Sequence, residues 1–216
     1  MTQLATASTL VVSRHGETVW HAENRYDGSC DVDLTAVGLH QAELLARWAG
    51  RVRPEALYSS PVRRALETAA PAAGVLGIEA VVLHDLREVH FGIAEGRTFG
   101  EIRDSEPDVA ERFTDDPVGG HFPDAEPPAA AAARGRAVLH RIAGAHPGGT
   151  VLVVAHNTFF RLTLCSLLGI PLARYRKVMP RLDTGTLTSL SITADPESGA
   201  ALLSFNVPLE AALVRS

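Results

Sequence analysis

Two histidines stand where apolar runs end in polar turns. His15 follows Thr9-Leu10-Val11-Val12 within Ser13-Arg14-His15-Gly16-Glu17, and His156 follows Thr150-Val151-Leu152-Val153-Val154-Ala155 and precedes Asn157-Thr158. At such a position a neutral imidazole can serve as a nucleophile, an adjacent arginine can hold a phosphate bidentately, and a glycine lets a ligand reach the backbone. A lone histidine in a turn more simply satisfies a hydrogen bond; the second strand-end histidine weakens that plainer reading. Ser60-Pro61-Val62-Arg63-Arg64 puts two cations in the first turn of a predicted helix, where each opposes the helix dipole by roughly a few tenths of a kcal/mol. An anion bound at that helix start reverses the sign, because backbone N–H groups and arginine then share one partner. One of Arg63 and Arg64 is therefore expected to face a site. Phosphoryl attack by histidine also requires a proton for the departing oxygen. Glu88, in Leu86-Arg87-Glu88-Val89-His90-Phe91-Gly92, is a candidate donor, and Asp85, Glu95 and His90 are competitors that spacing does not separate.

Other chemistries find less support. The nine histidines form no HExxH pair, and no HxH or HxxxH pair comes with a third ligand at usual spacing, so neither a metal nor another cofactor is expected. No GxSxG elbow marks a serine hydrolase. Cys30 and Cys165 belong to no CxxC pair, which argues against a disulfide framework and suits a reduced compartment. The formal charge of −5 is offset by no basic run, so nucleic acid is not an expected partner. Met1 to Leu10 has no basic start followed by an apolar stretch, and no apolar run approaches the ~18 residues of a membrane span. The expectation is a cytoplasmic protein with no membrane partner. A chain of 216 residues with 46% apolar content can bury one sizeable core, so residues 1–216 are expected to form a single domain.

The elements that must position these residues follow from periodicity and caps. Thr9 to Val12 reads as a buried strand, which places His15 at a strand's carboxyl end. Thr35 caps a helix to about Ala49, with Val37, Gln41, Leu44 or Leu45, and Trp48 at helical spacing. Ala56 to Ser59 is a second strand; Ser60 is the expected N-cap and Pro61 the first helical residue of a helix running through Ala73 and stopping near Gly74. Ala80 to Leu83 is a third strand, and Asp85 to Gly96 irregular chain of the kind that carries function. Residues 97–127 hold short helical pieces among prolines and glycines and are a candidate lid or insertion. Pro127-Pro128-Ala129 to Ala133 starts a helix, Thr150 to Ala155 is the clearest strand, and Phe159 to Leu168 the helix after it. Leu187 to Ile192 and Leu202 to Phe205 add strands at a sheet edge. Strands alternating with helices imply an α/β fold with a mostly parallel sheet, whose ligands collect beyond the strands' carboxyl ends.

In this order the pieces resemble the histidine phosphatase superfamily, also called phosphoglycerate mutase-like. Val11-Val12-Ser13-Arg14-His15-Gly16-Glu17-Thr18-Val19-Trp20 is similar to its RHGET-x-W signature, and Asp33-Leu34-Thr35 with Gly38 and Gln41-Ala42 to LTxxGxxQA. Ser60 to Ala69 resembles SPLxRAxQTA, Leu86-Arg87-Glu88 with Phe91-Gly92 and Glu95-Gly96 resembles the acid loop, and Val153 to His156 the strand of the second histidine. The likeness runs from residue 10 to about 170. It implies a three-layer sandwich with a mostly parallel central sheet flanked by helices. It implies that His15 takes the phosphoryl group, that Arg14, Arg64 and His156 hold its oxygens, and that Glu88 is the general acid and base. It selects Arg64 over Arg63, and brings Glu17, Thr18, His21 and Asn157 beside the substrate. His21 stands where the family commonly has Asn, Asn157 where it has Gly, and His121 to Glu126 where many members read FPGGE.

The resemblance implies a phosphatase for a small phosphorylated metabolite, since the GTSA-like tripeptide and extended stretch of the mutases are not evident. Phe91, Phe122, Phe159 and Phe160 are candidate walls for a partly apolar leaving group, or core. A phosphoglycerate mutase-type transfer and a non-catalytic phospho-ligand-binding module are the alternatives, and a homodimer is compatible with either.

Overall fold

The computed structural model describes residues 6–214; the first five of the residues Met1 to Leu10 therefore lie outside the described residues. In chain order the elements are β1 (Ser8–Arg14), α1 (Ala36–Val52), β2 (Ala56–Ser59), α2 (Arg63–Leu76), β3 (Val81–Val82), α3 (Phe99–Ser105), α4 (Pro107–Asp115), α5 (Pro128–Ala145), β4 (Thr150–Ala155), α6 (Asn157–Leu167), α7 (Tyr175–Val178), β5 (Thr186–Ile192), β6 (Ala200–Pro208) and α8 (Leu209–Val214). The strands form one sheet in the order β3-β2-β4-β1-β5-β6. β3, β2, β4 and β1 run parallel, whereas β5 pairs antiparallel with both β1 and β6.

Both faces of the sheet are buried, which is why β1 and β4 read as continuous apolar runs rather than as alternating ones. Leu10, Val12, Val151 and Val153 point into a core with α5 and α6. Val11, Leu152 and Val154 point the other way, into a core with α1, α2 and α8. The result is the expected three-layer α/β sandwich. Pairing of Arg14 with Ala155 and of Ser59 with Val154 brings three strand ends level. The residues that follow those ends are His15, His156 and Ser60.

Several boundaries differ from the sequence expectations, each for a local reason. Thr35 does cap α1, accepting from the Gly38 amide, but the helix continues to Val52. Val37 is 52% exposed; the buried stripe is Gly38, Ala42, Leu45 and Ala49 with Leu44 and Trp48. α2 begins at Arg63, after extended Val62, rather than at Pro61, because the Ser60 hydroxyl is engaged by His156 and by the Val62 amide instead of capping a turn. It ends at Gly77, whose φ of 70° suits a glycine, not at Gly74. β3 has only two residues, both exposed at the sheet edge. α6 starts at Asn157, with His156 as N-cap, and α8 follows β6 where no helix was expected.

Residues 97–127 contain α3, started by a Thr98–Glu101 capping box, and α4, with Pro107 in its first turn. They pack through aromatics: Phe113 stacks on Phe122 with centroids 4.2 Å apart, and Tyr26 lies edge-on to both. No described helix is long and apolar enough to cross a membrane.

Candidate active site

The His15 imidazole is buried, and its Nδ1 lies 2.8 Å from the Gly16 carbonyl oxygen. A carbonyl only accepts, so Nδ1 carries the proton and Nε2 holds a lone pair. Arg64 Nε donates to that Nε2 across 3.2 Å. Burial first, then the nearby Arg64, His156 and Arg14, holds the imidazole well below the usual histidine range. The ring is thus held neutral, with the Nε2 lone pair available for chemistry. A main-chain bond from the His15 amide to the Ala155 carbonyl, 2.9 Å, fixes its place on the sheet.

Arg64 is 0% exposed, whereas Arg63 pairs with Asp33 and Glu67 on the surface, so the adjacent arginines divide as expected. The Arg64 guanidinium donates to the carbonyls of Cys30 (2.9 Å) and Gly28 (2.8 Å) and stands 3.2 Å from His156 Nδ1. Two backbone carbonyls, together with the Asp27 carboxylate 3.3 Å from its Nε, therefore aim it at His15. His156 is fully buried, its Nε2 2.7 Å from the Ser60 hydroxyl, and its ring centroid 5.2 Å from that of His15. Burial, then Arg64, Arg14 and Arg134, lowers its pKa well below the usual value. Arg14 donates to the Leu182 carbonyl (3.0 Å) and stands 2.6 Å from His21 Nε2, while its Nε is buried without a partner among the described residues. A free guanidinium N–H beside a buried neutral imidazole suits a phosphoryl oxygen.

Glu88 lies on the other side of the site. It is 5% exposed and accepts from the amides of Val89 (2.8 Å), Phe159 (2.8 Å) and Thr158 (3.0 Å), the last two at the start of α6. Burial, and after it the Asp27 carboxylate, raises its pKa above the usual value despite those bonds. A carboxyl group whose pKa is raised in this way holds its proton to higher pH than an exposed one and can donate it. Glu88 borders the open pocket, while Asp85 is exposed against Arg141 and Glu95 is bound to Ser29 and the Phe91 amide. His90 is half exposed beside Glu95.

The remaining sequence candidates separate. His21 and Thr18 line the pocket; Nδ1 of His21 accepts from the Thr18 backbone amide at 2.9 Å and lies 2.8 Å from the Thr18 hydroxyl, while its Nε2 stands 2.6 Å from the Arg14 guanidinium. Burial, then Arg14, lowers the His21 pKa to about 4. Asn157 also lines the pocket, with Oδ1 buried and unpartnered among the described residues. Glu17 does not: its carboxylate accepts from the Thr35 hydroxyl at 2.8 Å and its amide donates to Gln41 at 2.9 Å, so it braces the loop to α1. Of the four phenylalanines, only Phe91 reaches this pocket; Phe122, Phe159 and Phe160 are core. The apolar demand of a three-layer core outcompeted the pocket for them.

Sequence reasoning missed Asp27. Its carboxylate borders the pocket and reaches inward to 3.3 Å from Arg64 Nε and 3.8 Å from His15 Nε2, both of which lie buried behind it. It occupies a Tyr26-Asp27-Gly28 turn, whose composition signals only a turn. It also missed Arg161, a pocket residue whose signal was available: a single arginine in the otherwise apolar run Phe159 to Leu168. Among the described residues, no group of three or more His, Cys, Asp or Glu is placed to hold a metal ion.

A model of the histidine phosphatase superfamily (branch 1) matches residues 10–206. The chain is 35% identical over 191 residues to a metal-independent phosphoserine phosphatase of Arabidopsis thaliana, covering 85% of this chain and 74% of that one. It is 33% identical over 186 residues to a protein named "Probable phosphoglycerate mutase GpmB" of Yersinia enterocolitica, covering 85% and 84%. Among solved structures, a mycobacterial glucosyl-3-phosphoglycerate phosphatase bound to VO3 superposes with a TM-score of 0.83 at 28% identity, covering 92% of this chain and 99% of that one.

Proposed function

The chain belongs to the histidine phosphatase superfamily, and from that membership we propose that it hydrolyses a small phosphomonoester through a phosphohistidine on His15. The observation that carries this reading is the tautomer of His15: with Nδ1–H tied to the Gly16 carbonyl, the Nε2 lone pair faces Arg64 and the Asp27 side of the pocket. In the first step Nε2 bonds to phosphorus and the ester P–O bond breaks. The Glu88 carboxyl gives its proton to the departing oxygen. In the second step the Glu88 carboxylate takes a proton from water, which displaces phosphate from His15 and restores both groups. Arg14, Arg64 and His156 stabilise the charge on the transferring oxygens, the term that usually contributes most. Thr18, His21 and Asn157 complete the wall around the substrate.

The metal-independent phosphatase relative supports hydrolysis without a cofactor. The relative named as a mutase supports the second reading, in which a second hydroxyl of the substrate takes the phosphoryl group from His15. A phospho-ligand-binding module without turnover is the third. We place the enzyme in the cytoplasm as a single domain over 1–216, alone or as a homodimer, with 97–127 as a lid over a metabolite-sized site and no nucleic-acid partner.

The test is phosphate release from a panel of phosphomonoesters in EDTA, wild type against His15→Ala. Turnover that vanishes in the variant, with an acid-labile phosphoprotein trapped on rapid quenching of the wild type, supports the reading. Isomerisation of a phosphorylated substrate without phosphate release would favour the mutase, and tight binding with no reaction the binding module.

A further inference from the structure

Beyond the phosphoryl cradle the same pocket contains two arginines that the proposed chemistry does not use. Arg161 is 7% exposed, and its Nε is buried without a partner among the described residues. Its guanidinium stacks over the Tyr175 ring, 4.9 Å from the centroid. Arg176 lies over the Phe113 ring at 5.1 Å and beside the Tyr26 hydroxyl. Of the other arginines near the site, Arg25 is matched by Glu23 and Glu101 and Arg64 by Asp27, while Arg14 is the one assigned to the phosphoryl group. Neither Arg161 nor Arg176 forms an ion pair among the described residues, and both border the pocket that Arg14, Asp27 and Glu88 border on its inner side. A buried guanidinium without an anion is a standing cost that a bound anion removes. Burial first, and the like charges of Arg176 and Arg14, lower the pKa of Arg161 below the ordinary arginine value, and Tyr175 and Glu88 offset only part of that.

We infer that Arg161 and Arg176 form a second anion subsite, and that the preferred substrate is a phosphomonoester whose leaving group carries a carboxylate. This inference rests on the phosphatase reading above. A guanidinium held on an aromatic face presents its N–H fork edgewise to a two-oxygen acceptor, which a carboxylate supplies within the short span available here; a second phosphate offers the same edge, and the bisphosphate below separates the two. Spacing agrees. His156 is the N-cap of α6 at the phosphoryl end, Asn157 follows it, and Arg161 lies one turn on, about 6 Å further along the helix axis. That span suits an ester and a carboxylate separated by two or three carbons. The unpartnered Oδ1 of Asn157 lies between them in sequence, ready to accept from a hydroxyl or ammonium on the intervening carbon.

The experiment compares kcat/KM for pairs of esters that differ in the carboxylate: O-phosphoserine against phosphoethanolamine, and 3-phosphoglycerate against glycerol 3-phosphate. A bisphosphate and p-nitrophenyl phosphate complete the panel. Wild type is expected to favour the carboxylate member of each pair by about tenfold or more, the range of one charge-assisted contact. Arg161→Gln and Arg176→Gln should each collapse that ratio toward one. Arg176 is exposed, so its variant carries the test should Arg161→Gln fail to fold. Turnover of all esters with a ratio near one in wild type, or a ratio unchanged in Arg176→Gln, would overturn the subsite and leave the phosphatase reading standing. Preference for the bisphosphate over both carboxylates would overturn the carboxylate assignment. Turnover of no ester, p-nitrophenyl phosphate included, would overturn the phosphatase reading and the subsite with it.

Discussion

Asp27 Oδ2 stands 3.8 Å from Nε2 of His15, with Arg64 Nε 3.3 Å away on the same oxygen. A carboxylate thus occupies the space in which the proposed reaction must seat a phosphoryl dianion, and substrate must displace it. Asp27→Asn keeps the shape and removes the charge. At an effective dielectric between that of water and about 20, one such repulsion at ~4 Å amounts to about 1–4 kcal/mol. Inhibition by orthovanadate should therefore tighten at least fivefold in Asp27→Asn. Unchanged or weaker inhibition would mean that the carboxylate serves the anion rather than opposing it.

The pH profile follows from Glu88 and His21. Glu88 must be protonated to act as an acid, and its pKa is raised by burial and by Asp27, so kcat/KM should fall as pH rises through a value above the ordinary carboxylate range. Asp27→Asn should move that alkaline limb to lower pH, and Glu88→Gln should cost about 10²–10⁴ in kcat. On the acid side a protonated His21 would put a second cation 2.6 Å from the Arg14 guanidinium, and burial, then Arg14, lowers its pKa to about 4. An acid limb near that value should disappear in His21→Asn, measured with an ester that does not itself titrate there.

Stability should also depend on pH, with a definite sign. His15 and His156 have folded pKa values well below the usual one, so below ~6.5 the unfolded chain binds protons that the folded chain excludes. Their contribution is intact above the unfolded value and is lost as pH falls beneath it, at most about 1.4 kcal/mol per pH unit for each ring. Urea midpoints taken from pH 7.5 to 5 should decline. His156→Asn should decline less steeply, and parallel slopes would refute the assignment.

Two glycines separate scaffold from site. A methyl group on Gly38 would meet the carbonyl of Glu17 and displace the loop that carries Thr18, whereas one on Gly135 would meet the Thr163 side chain between α5 and α6. Each alanine variant should lose about 1–3 kcal/mol. Thermal melts should show both losses, while kcat/KM at a temperature where both variants are folded should fall by about tenfold or more only for Gly38→Ala.

Much of this site was readable without coordinates because its parts sit at strand ends. β1 and β4 are buried on both faces, so each appears as an apolar run, and the polar residue that breaks the run is the one delivered to the sheet edge. Arg64 was betrayed by an unfavourable charge at a helix start. Asp27 was not readable: it arrives on irregular chain after Trp20, where no period links a residue to a direction. Glu17 was misassigned because a neighbour of His15 in sequence turns to the opposite side, toward Thr35. Val37 failed for a similar reason, since close contact of Gly38 with the Glu17 backbone sets which stripe of α1 faces inward. The helix start at Arg63 was obscured by competition for one hydroxyl, because Ser60 could cap or meet His156 and does the latter.

The strand order β3-β2-β4-β1-β5-β6 places β4, residues 150–155, between β2 and β1. A chain made from its N-terminus therefore has the outer strands of its parallel core long before the one that joins them. Until then β1 and β2 each present an unpaired edge, the surface by which nascent chains associate wrongly. Arg14 and His15 cannot meet His156 before that insertion, so the two strand-end histidines come together only once residues 150–155 have entered the sheet. Contacts this remote in sequence make such closure slow. The six residues of β4 thus close the parallel core and join the two halves of the site in a single insertion.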